Sequence, residues 1–411
     1  MLTWRRGEPA VLPFVLGFQW LQASLLLIYG VFTGQPLEKL GSYQCADVET
    51  ATLYSLLGLL ALAVGVRLAI GRTPPVRTPT LPAVDRAFQF YLGCFGLGLL
   101  CKLLAVGGLR QPMLALSNLH WAGYYLFAFS VLRQRRSYQL LALVTMLEFG
   151  IGLQGYFSSF KTPLFVLLVA ALSAGVRPSA GRMAATGTLF ILVLMTGMTW
   201  QAVKGQYRSY VNQGQSQQVV LVPLEERMNY LAALVFNISG AQLSEGGRSL
   251  ISRIAYVDFF GCVITRVPQH LPHEEGRLWG AAMAHVTVPR LVYPDKPILQ
   301  SDSELTIRYT GLGLASSSQG TSISMGYIAE SYIDFGPLGF WLPPLILGLL
   351  FGRSYRYCLR HPAALTGQSV VVALLIGFYP LEMNNVKLLG AFITQALASM
   401  VILNFSGQKL D

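Results

Sequence analysis

Glu330 and Asp334 stand four residues apart and share a predicted helix face with Gly326, Tyr327 and Ser331 over Ser322–Phe335, because residues three and four apart are neighbours on a helix. Met325, Ile328, Ala329, Tyr332 and Phe335 cover the other face, so two carboxylates are expected to project from one side of a helix packed by the other. Either could accept a proton from a hydroxyl. His285, in the apolar stretch Leu278–Val288, is the alternative base. The plain readings are an ion-paired carboxylate and a satisfied core histidine. Arg290 and Lys296 fall in a segment marked by Pro289, Pro294 and Pro297, whose fixed dihedrals force an extended path. Six extended residues span roughly 20 Å, so one pyrophosphate meets both cations only if the chain turns at Tyr293–Pro294. Arg208, Arg253, Arg277 and Arg308 are further phosphate clamps, since the planar guanidinium binds bidentately. For any one of them, pairing with a nearby acid is the simpler reading.

Lys161 stands just before Pro163 at the opening of an apolar run. Proline suits a first helical turn. Free N–H groups, the positive dipole end and the ammonium then converge at the interface, where a lipid pyrophosphate would lie. Simple interfacial anchoring is the competing reading. Glu148 sits mid-run, where acids are rare and often functional. His270, His273, Glu274 and Glu275 form the one close His and acid group, and read as a solvated turn before a metal centre. There is no nucleotide-binding glycine loop, HExxH or GxSxG.

These residues need a scaffold, and composition says which kind. The chain of 411 residues is 53% hydrophobic and 12% charged, with a mean hydropathy of +0.50. Soluble domains carry about twice that charge. Apolar runs near the bilayer-crossing length of about 20 residues recur. Ten spans are expected: Val11–Phe32, Thr50–Ile70, Ala87–Val106, Met113–Leu132, Tyr138–Tyr156, Pro163–Val176, Ala184–Val203, Leu338–Tyr357, Gly367–Val386 and Leu389–Phe405. The first is too long for a signal-peptide core. This gives an all-α polytopic membrane protein in one integral domain: residues 1–203 with seven spans, an outer segment 204–336, and 337–411 with three spans.

Charge orients the map. With the N-terminus inside, inner ends and loops hold 15 Lys and Arg, and short outer loops hold four, namely Lys39, Arg110, Lys161 and Lys387. Cytoplasmic loops carry that excess, so both termini are expected inside and the long segment outside. The net charge of +11 is read as topological, with no nucleic-acid partner. Residues 204–336 hold 11 of the 19 acids, 10 of the 30 Lys and Arg, and three of the five His. Within them, Gly205–Gln218 reads as polar and mobile, Leu224–Leu243 and Arg248–Val267 as amphipathic helices, Pro268–Gly276 as a turn and Gly311–Gly320 as a loop. The five Cys show no ligand spacing. Cys45 and Cys262 both fall outside, which permits a disulfide, although free buried Cys is common. An enzyme facing outward meets no nucleotides and must draw on a pre-activated, lipid-linked substrate.

The chain resembles the O-antigen and oligosaccharide repeat-unit polymerases of bacterial envelopes. The resemblance rests on Ser158-Ser-Phe-Lys161-Thr-Pro163 opening a span, the long late outer loop, Pro289-Arg290 followed by Tyr293-Pro-Asp-Lys-Pro297, and Thr321 to Gly336 leading into the next span. That family usually has Arg where Lys161 stands. The resemblance implies a metal-independent, cofactor-free membrane glycosyltransferase of GT-C-like architecture in the bacterial inner membrane. A glycan on undecaprenyl pyrophosphate would pass to a hydroxyl of another lipid-linked unit, with inversion. Lys161, Arg290 and Arg208 or Arg308 would hold the pyrophosphate, and Glu330 or His285 would serve as base. The implied partners are membrane lipid and a chain-length regulator or flippase. Asp47 and Glu49 are similar to the acid pair of glycosyltransferases that use polyprenyl-sugar donors. The competing readings are an O-antigen ligase acting on lipid A core and a non-enzymatic flippase or exporter.

Overall fold

The computed structural model describes residues 7–71, 81–106, 109–153, 160–175, 180–215, 220–288, 293, 299–317 and 322–406. Among them every regular element is helical. In chain order the helices are α1 Val11–Thr33, α2 Val48–Ile70, α3 Val84–Leu103, α4 Arg110–Ser117, α5 His120–Gln134, α6 Tyr138–Leu153, α7 Lys161–Ser173, α8 Ala180–Val211, α9 Leu224–Phe236 and α10 Gly240–Ile254. They continue as α11 Asp258–Arg266, α12 Arg277–Thr287, α13 Asp302–Thr310, α14 Tyr327–Gly339, α15 Leu342–Leu359, α16 Ala364–Leu375 and α17 Asn385–Ser406.

Among the described residues three helices, α1, α2 and α17, are long and apolar enough to cross a membrane. α14 and α15 qualify only as a pair, and the chain bends by 115° between them. Helices α6, α7 and α16 are apolar but shorter. The expected fourth span, Met113–Leu132, is divided into α4 and α5.

The tightest pairing is between α2 and α15. Glycine sets its spacing: a Cβ on Gly348 would lie 2.1 Å from the Leu62 carbonyl oxygen, and one on Gly65 would lie 2.2 Å from that of Leu345. Gly348 and Gly352 stand four apart, so both notches open on one face, the arrangement that lets helices in a bilayer approach closely. Elsewhere aromatic side chains fill the interior. Phe14, Phe18, Phe165 and Tyr379 pack mutually, and Phe351, Phe378 and Phe392 form a second group.

Several expected boundaries move for identifiable reasons. Ser239 and Gln242 form a capping box, which satisfies two otherwise orphaned N–H groups and divides Leu224–Leu243 into α9 and the start of α10. The expected Arg248–Val267 helix breaks between α10 and α11. α8 continues through residue 203 to Val211, so the first half of the expected mobile stretch is helix. Cys45 and Cys262 are bonded across a sequence separation of 217, which ties the loop before α2 to α11.

Candidate functional site

α14 begins at Tyr327, later than the expected Ser322. Gly326 takes φ +94° and ψ 151°, a region open essentially to glycine alone, and a Cβ there would lie 2.8 Å from the Leu381 carbonyl oxygen. From Tyr327 to Asp334 every residue is buried. The expectation of carboxylates projecting from an open face is therefore corrected. Both meet the first turn of another helix, where N–H groups lack intrahelical partners.

Asp334 accepts hydrogen bonds from Leu278 N at 3.0 Å and Trp279 N at 2.6 Å. These are donors of the first turn of α12, whose N-cap residue, Gly276, has no side chain to offer them. Glu330 Oε2 accepts from Asn385 N at 2.8 Å, the first residue of α17. Two acids one turn apart on α14 thus hold the N-termini of α12 and α17, which also pack on each other. Negative charge at a helix N-terminus is favourable. The chain bends by 115° between α14 and α15, and both carboxylates lie in the 204–336 segment, outside the expected spans. Burial pushes the Glu330 carboxyl up to about 8 against the pull of the Asn385 N–H, and the nearby Asp302 and Asp334 charges add to the rise. Burial also raises Asp334, while the N–H groups of Leu278 and Trp279 oppose it. His285 rides on α12, half-buried, next to Val286, which lies against Gly390 of α17.

The seven candidate cations separate into three groups. Arg277 and Arg308 both pair with Glu274, Arg277 through its Nε at 2.7 Å and its Nη2, Arg308 at 3.5 Å. The Tyr309 hydroxyl also donates to Glu274, at 2.5 Å. Burial acts to raise the Glu274 carboxyl, but Tyr309, Arg277 and Arg308 overcome it and hold it below the usual range. His273 donates through Nδ1 to the Ile333 carbonyl at 3.2 Å, so this turn docks α14. Among the described residues no group of three or more His, Cys, Asp and Glu is placed to hold a metal. Arg290 and Lys296 lie outside the described residues.

The third group converges. Arg253, near the end of α10, lies 3.9 Å from Glu382. Lys204 of α8 is partly buried and feels the charges of Arg253 and Arg208. Burial first, then those two like charges, hold its ammonium below the usual lysine range. On the other side, the Lys161 ammonium sits 5.2 Å from the centre of the Tyr379 ring, and Tyr379 in turn feels Glu382. Arg253 and Lys161 are thereby linked through Glu382 and Tyr379, and Lys204 lies within electrostatic range of Arg253 and Arg208. Lys204 and Arg208 are partly buried, like charges brought together repel, and a bound anion would relieve that repulsion.

The break that carries Tyr379 and Glu382 is supported from α1. Gln19 Nε2 donates to the Phe378 carbonyl at 2.8 Å, and Gln22 Oε1 accepts from Leu381 N at 2.8 Å. Tyr327 donates to Gln19 Oε1 at 2.9 Å. Unwound backbone inside an apolar bundle needs such partners. Asp302, at the start of α13, joins Lys387, Asn384 and Ser322 in one network. Asp47 caps α2 through Thr50 N at 3.0 Å.

A family model described as "Domain of unknown function (DUF8712)" matches residues 35–354. That range covers more than three quarters of the 411 residues. The chain belongs to this family. No curated protein and no solved structure matches it. The DUF8712 range includes the disulfide, the α8–α10 cations and both α14 carboxylates, while Tyr379, Glu382 and Asn385 follow it. Sequence reasoning missed those three, because Gly367–Val386 reads as one apolar span. The readable clue was local: Pro380, Glu382, Asn384 and Asn385 crowd into six residues, too polar a run for an uninterrupted span. Gln19 and Gln22, three apart in the first span, were the matching clue on α1.

Proposed function

We propose that the protein is a multi-pass membrane glycosyltransferase that elongates lipid-linked oligosaccharides at the outer face of the bacterial inner membrane. In this reading the ten-span map holds, with α3 to α8 and α16 completing the spans and both termini cytoplasmic. The 15-to-four distribution of Lys and Arg supports it. So does the Cys45–Cys262 bond, since it joins two segments assigned to the outer side and disulfides persist in oxidising compartments.

The observation that carries the reading is the grouping of Lys204 with Arg208 and Arg253, of which Arg253 pairs with Glu382, and of Lys161 over the nearby Tyr379 ring. The bound anion is the pyrophosphate of an undecaprenyl-linked glycan. As the glycosidic bond to the pyrophosphate breaks, charge grows on the leaving oxygen, and preorganised cations stabilise it. The acceptor hydroxyl of a second lipid-linked unit attacks the anomeric carbon from the opposite side and inverts it. His285 takes the hydroxyl proton. It is the better base of the two candidates because Glu330 is enclosed and holds α17. Glu330 and Asp334 act as positioning residues for α17 and α12.

The test is a double variant, Lys204→Ala with Arg253→Ala, expressed in cells that depend on this chain for long polysaccharide. Loss of long glycans with normal membrane levels of protein is expected. A normal ladder of glycan lengths would refute the assignment of the anion site.

A further inference from the structure

α10 presents two opposite faces. Gly246, Ser249 and Arg253 recur at helical spacing and face α8 and the cation group: a Cβ on Gly246 would lie 2.4 Å from the Met198 carbonyl oxygen, and Arg253 reaches Glu382. Arg248 and Ser252, one turn apart, face the other way. They line a cleft of about 480 Å³ between α10, the outer end of α1 and the turn that follows it. Lys39 stands on the wall opposite Arg248, Tyr29 and Gln35 supply further polar groups, and Leu26 contributes apolar surface.

Charge, size and setting limit what fits there. Among the described residues, two cations line the cleft and no acid does. Arg248 has a partner in Glu245 at 3.8 Å, but that pair is 73% and 72% exposed, and such surface pairs hold weakly. The volume lies within the roughly 300–1,000 Å³ range of small-ligand sites. Beside the cleft, α1 exposes Leu27, Val31 and Phe32, an apolar track suited to a hydrocarbon chain. Arg248 and Ser252 are also sequence neighbours of Ser249 and Arg253, so this cleft and the cation group flank the same turns of α10. One helix diameter, about 10 Å, separates them.

We propose that this cleft is a second binding site for the phosphate-bearing head group of a polyprenyl lipid, with α10 as the partition between two lipids in one leaflet. Naming this lipid the acceptor rests on the reaction proposed above, while the site itself rests on the cleft. The first lipid then sits on the α8 side of α10 and the second on the α1 side. A transfer between two lipid-linked glycans needs that side-by-side placement.

The experiment counts undecaprenyl pyrophosphate molecules bound to the full chain in phosphatidylcholine nanodiscs by native mass spectrometry. The unsubstituted protein should bind two. Lys39→Ala with Arg248→Ala should bind one, with the lost site weakened at least tenfold, and Lys39→Arg with Arg248→Lys should restore two. Adding Lys204→Ala and Arg253→Ala to the alanine pair should remove the remaining lipid. An intact Cys45–Cys262 bond and unchanged elution confirm that each variant is folded. One bound lipid on the unsubstituted protein, or two on the alanine pair, would overturn the proposal. So would displacement by inorganic pyrophosphate at equal concentration, which would make the ligand a free phosphate. Two bound lipids without glycan transfer would reject the proposed reaction and leave this site standing. Transfer with one bound lipid would reject this site alone.

Discussion

Replacing Asp334 by Ala separates a carboxylate that holds a helix from one that does chemistry. Asp334 receives two backbone N–H groups, at 3.0 and 2.6 Å, and its side chain is buried. A hydrogen bond to a charged group contributes about 1.5–3 kcal/mol, so losing both costs about 3–6 kcal/mol. Water reaching the freed N–H groups would bring the result toward the lower figure. Asn retains one acceptor oxygen and should lose about half as much. At about 1.4 kcal/mol per decade, a 3 kcal/mol loss raises local opening of α12 by about a hundredfold. Hydrogen–deuterium exchange of Leu278 and Trp279 in detergent micelles reads this directly. Asp334→Ala should lose protection across the first turn of α12, and Asp334→Asn should fall between it and the parent. Unchanged protection in Asp334→Ala, together with abolished glycan transfer, would refute the reasoning and return Asp334 to the list of catalytic groups.

Other consequences follow from the same geometry. Glu330 is raised to about 8, so the stability it contributes is present below its unfolded value and lost as pH rises through about 8. Glu330→Gln should therefore be more stable than the parent at pH 9 and not at pH 4, by thermal melts in micelles. Glu274 is lowered, which gives the opposite sign: its contribution is present above the unfolded value of about 4.5 and fades as pH falls, and Glu274→Gln should flatten the acid limb of the same melts. Removing the Cys45–Cys262 bond, which closes a 217-residue separation, should cost about 2–5 kcal/mol; a melt unchanged by Cys262→Ser would contradict this. Gly348→Ala should cost about 1–3 kcal/mol or more by overpacking α2 against α15, whereas Gly93→Ala, with nothing within 4 Å of the added carbon, should cost little.

Much of the architecture was legible because hydrophobicity is local. α1, α2 and α17 are uninterrupted apolar runs, and their ends lie close to the expected ones. α7 opens at Lys161, two residues before the expected Pro163, so Pro163 still falls in its first turn. Breaks were harder. The division of α4 from α5 carries no proline or glycine to announce it, and the interruption before α17 was absorbed into a span because Phe378 and Leu381 are apolar. Pairing was harder still. The sequence named Arg253 and Lys161, but nothing local says that Arg253 meets Glu382 and Lys161 the Tyr379 ring, or that Arg277 and Arg308 are taken by Glu274. Glu330 and Asp334 were found as a same-face pair, and the pattern was correct. Their partners, the first turns of α12 and α17, lie about 55 residues away, and only tertiary structure could show that the face was closed.

The central claim is that this chain joins two lipid-linked glycans. The most direct measurement incubates the purified protein in nanodiscs with a single undecaprenyl-pyrophosphate-linked repeat unit, without metal or nucleotide, and resolves the products by glycan length. A ladder of longer lipid-linked glycans is expected, with undecaprenyl pyrophosphate released, and at least a tenfold slower rate in the Lys204→Ala, Arg253→Ala variant. Unchanged starting material with active, folded protein would contradict it, as would transfer only to a lipid A core acceptor.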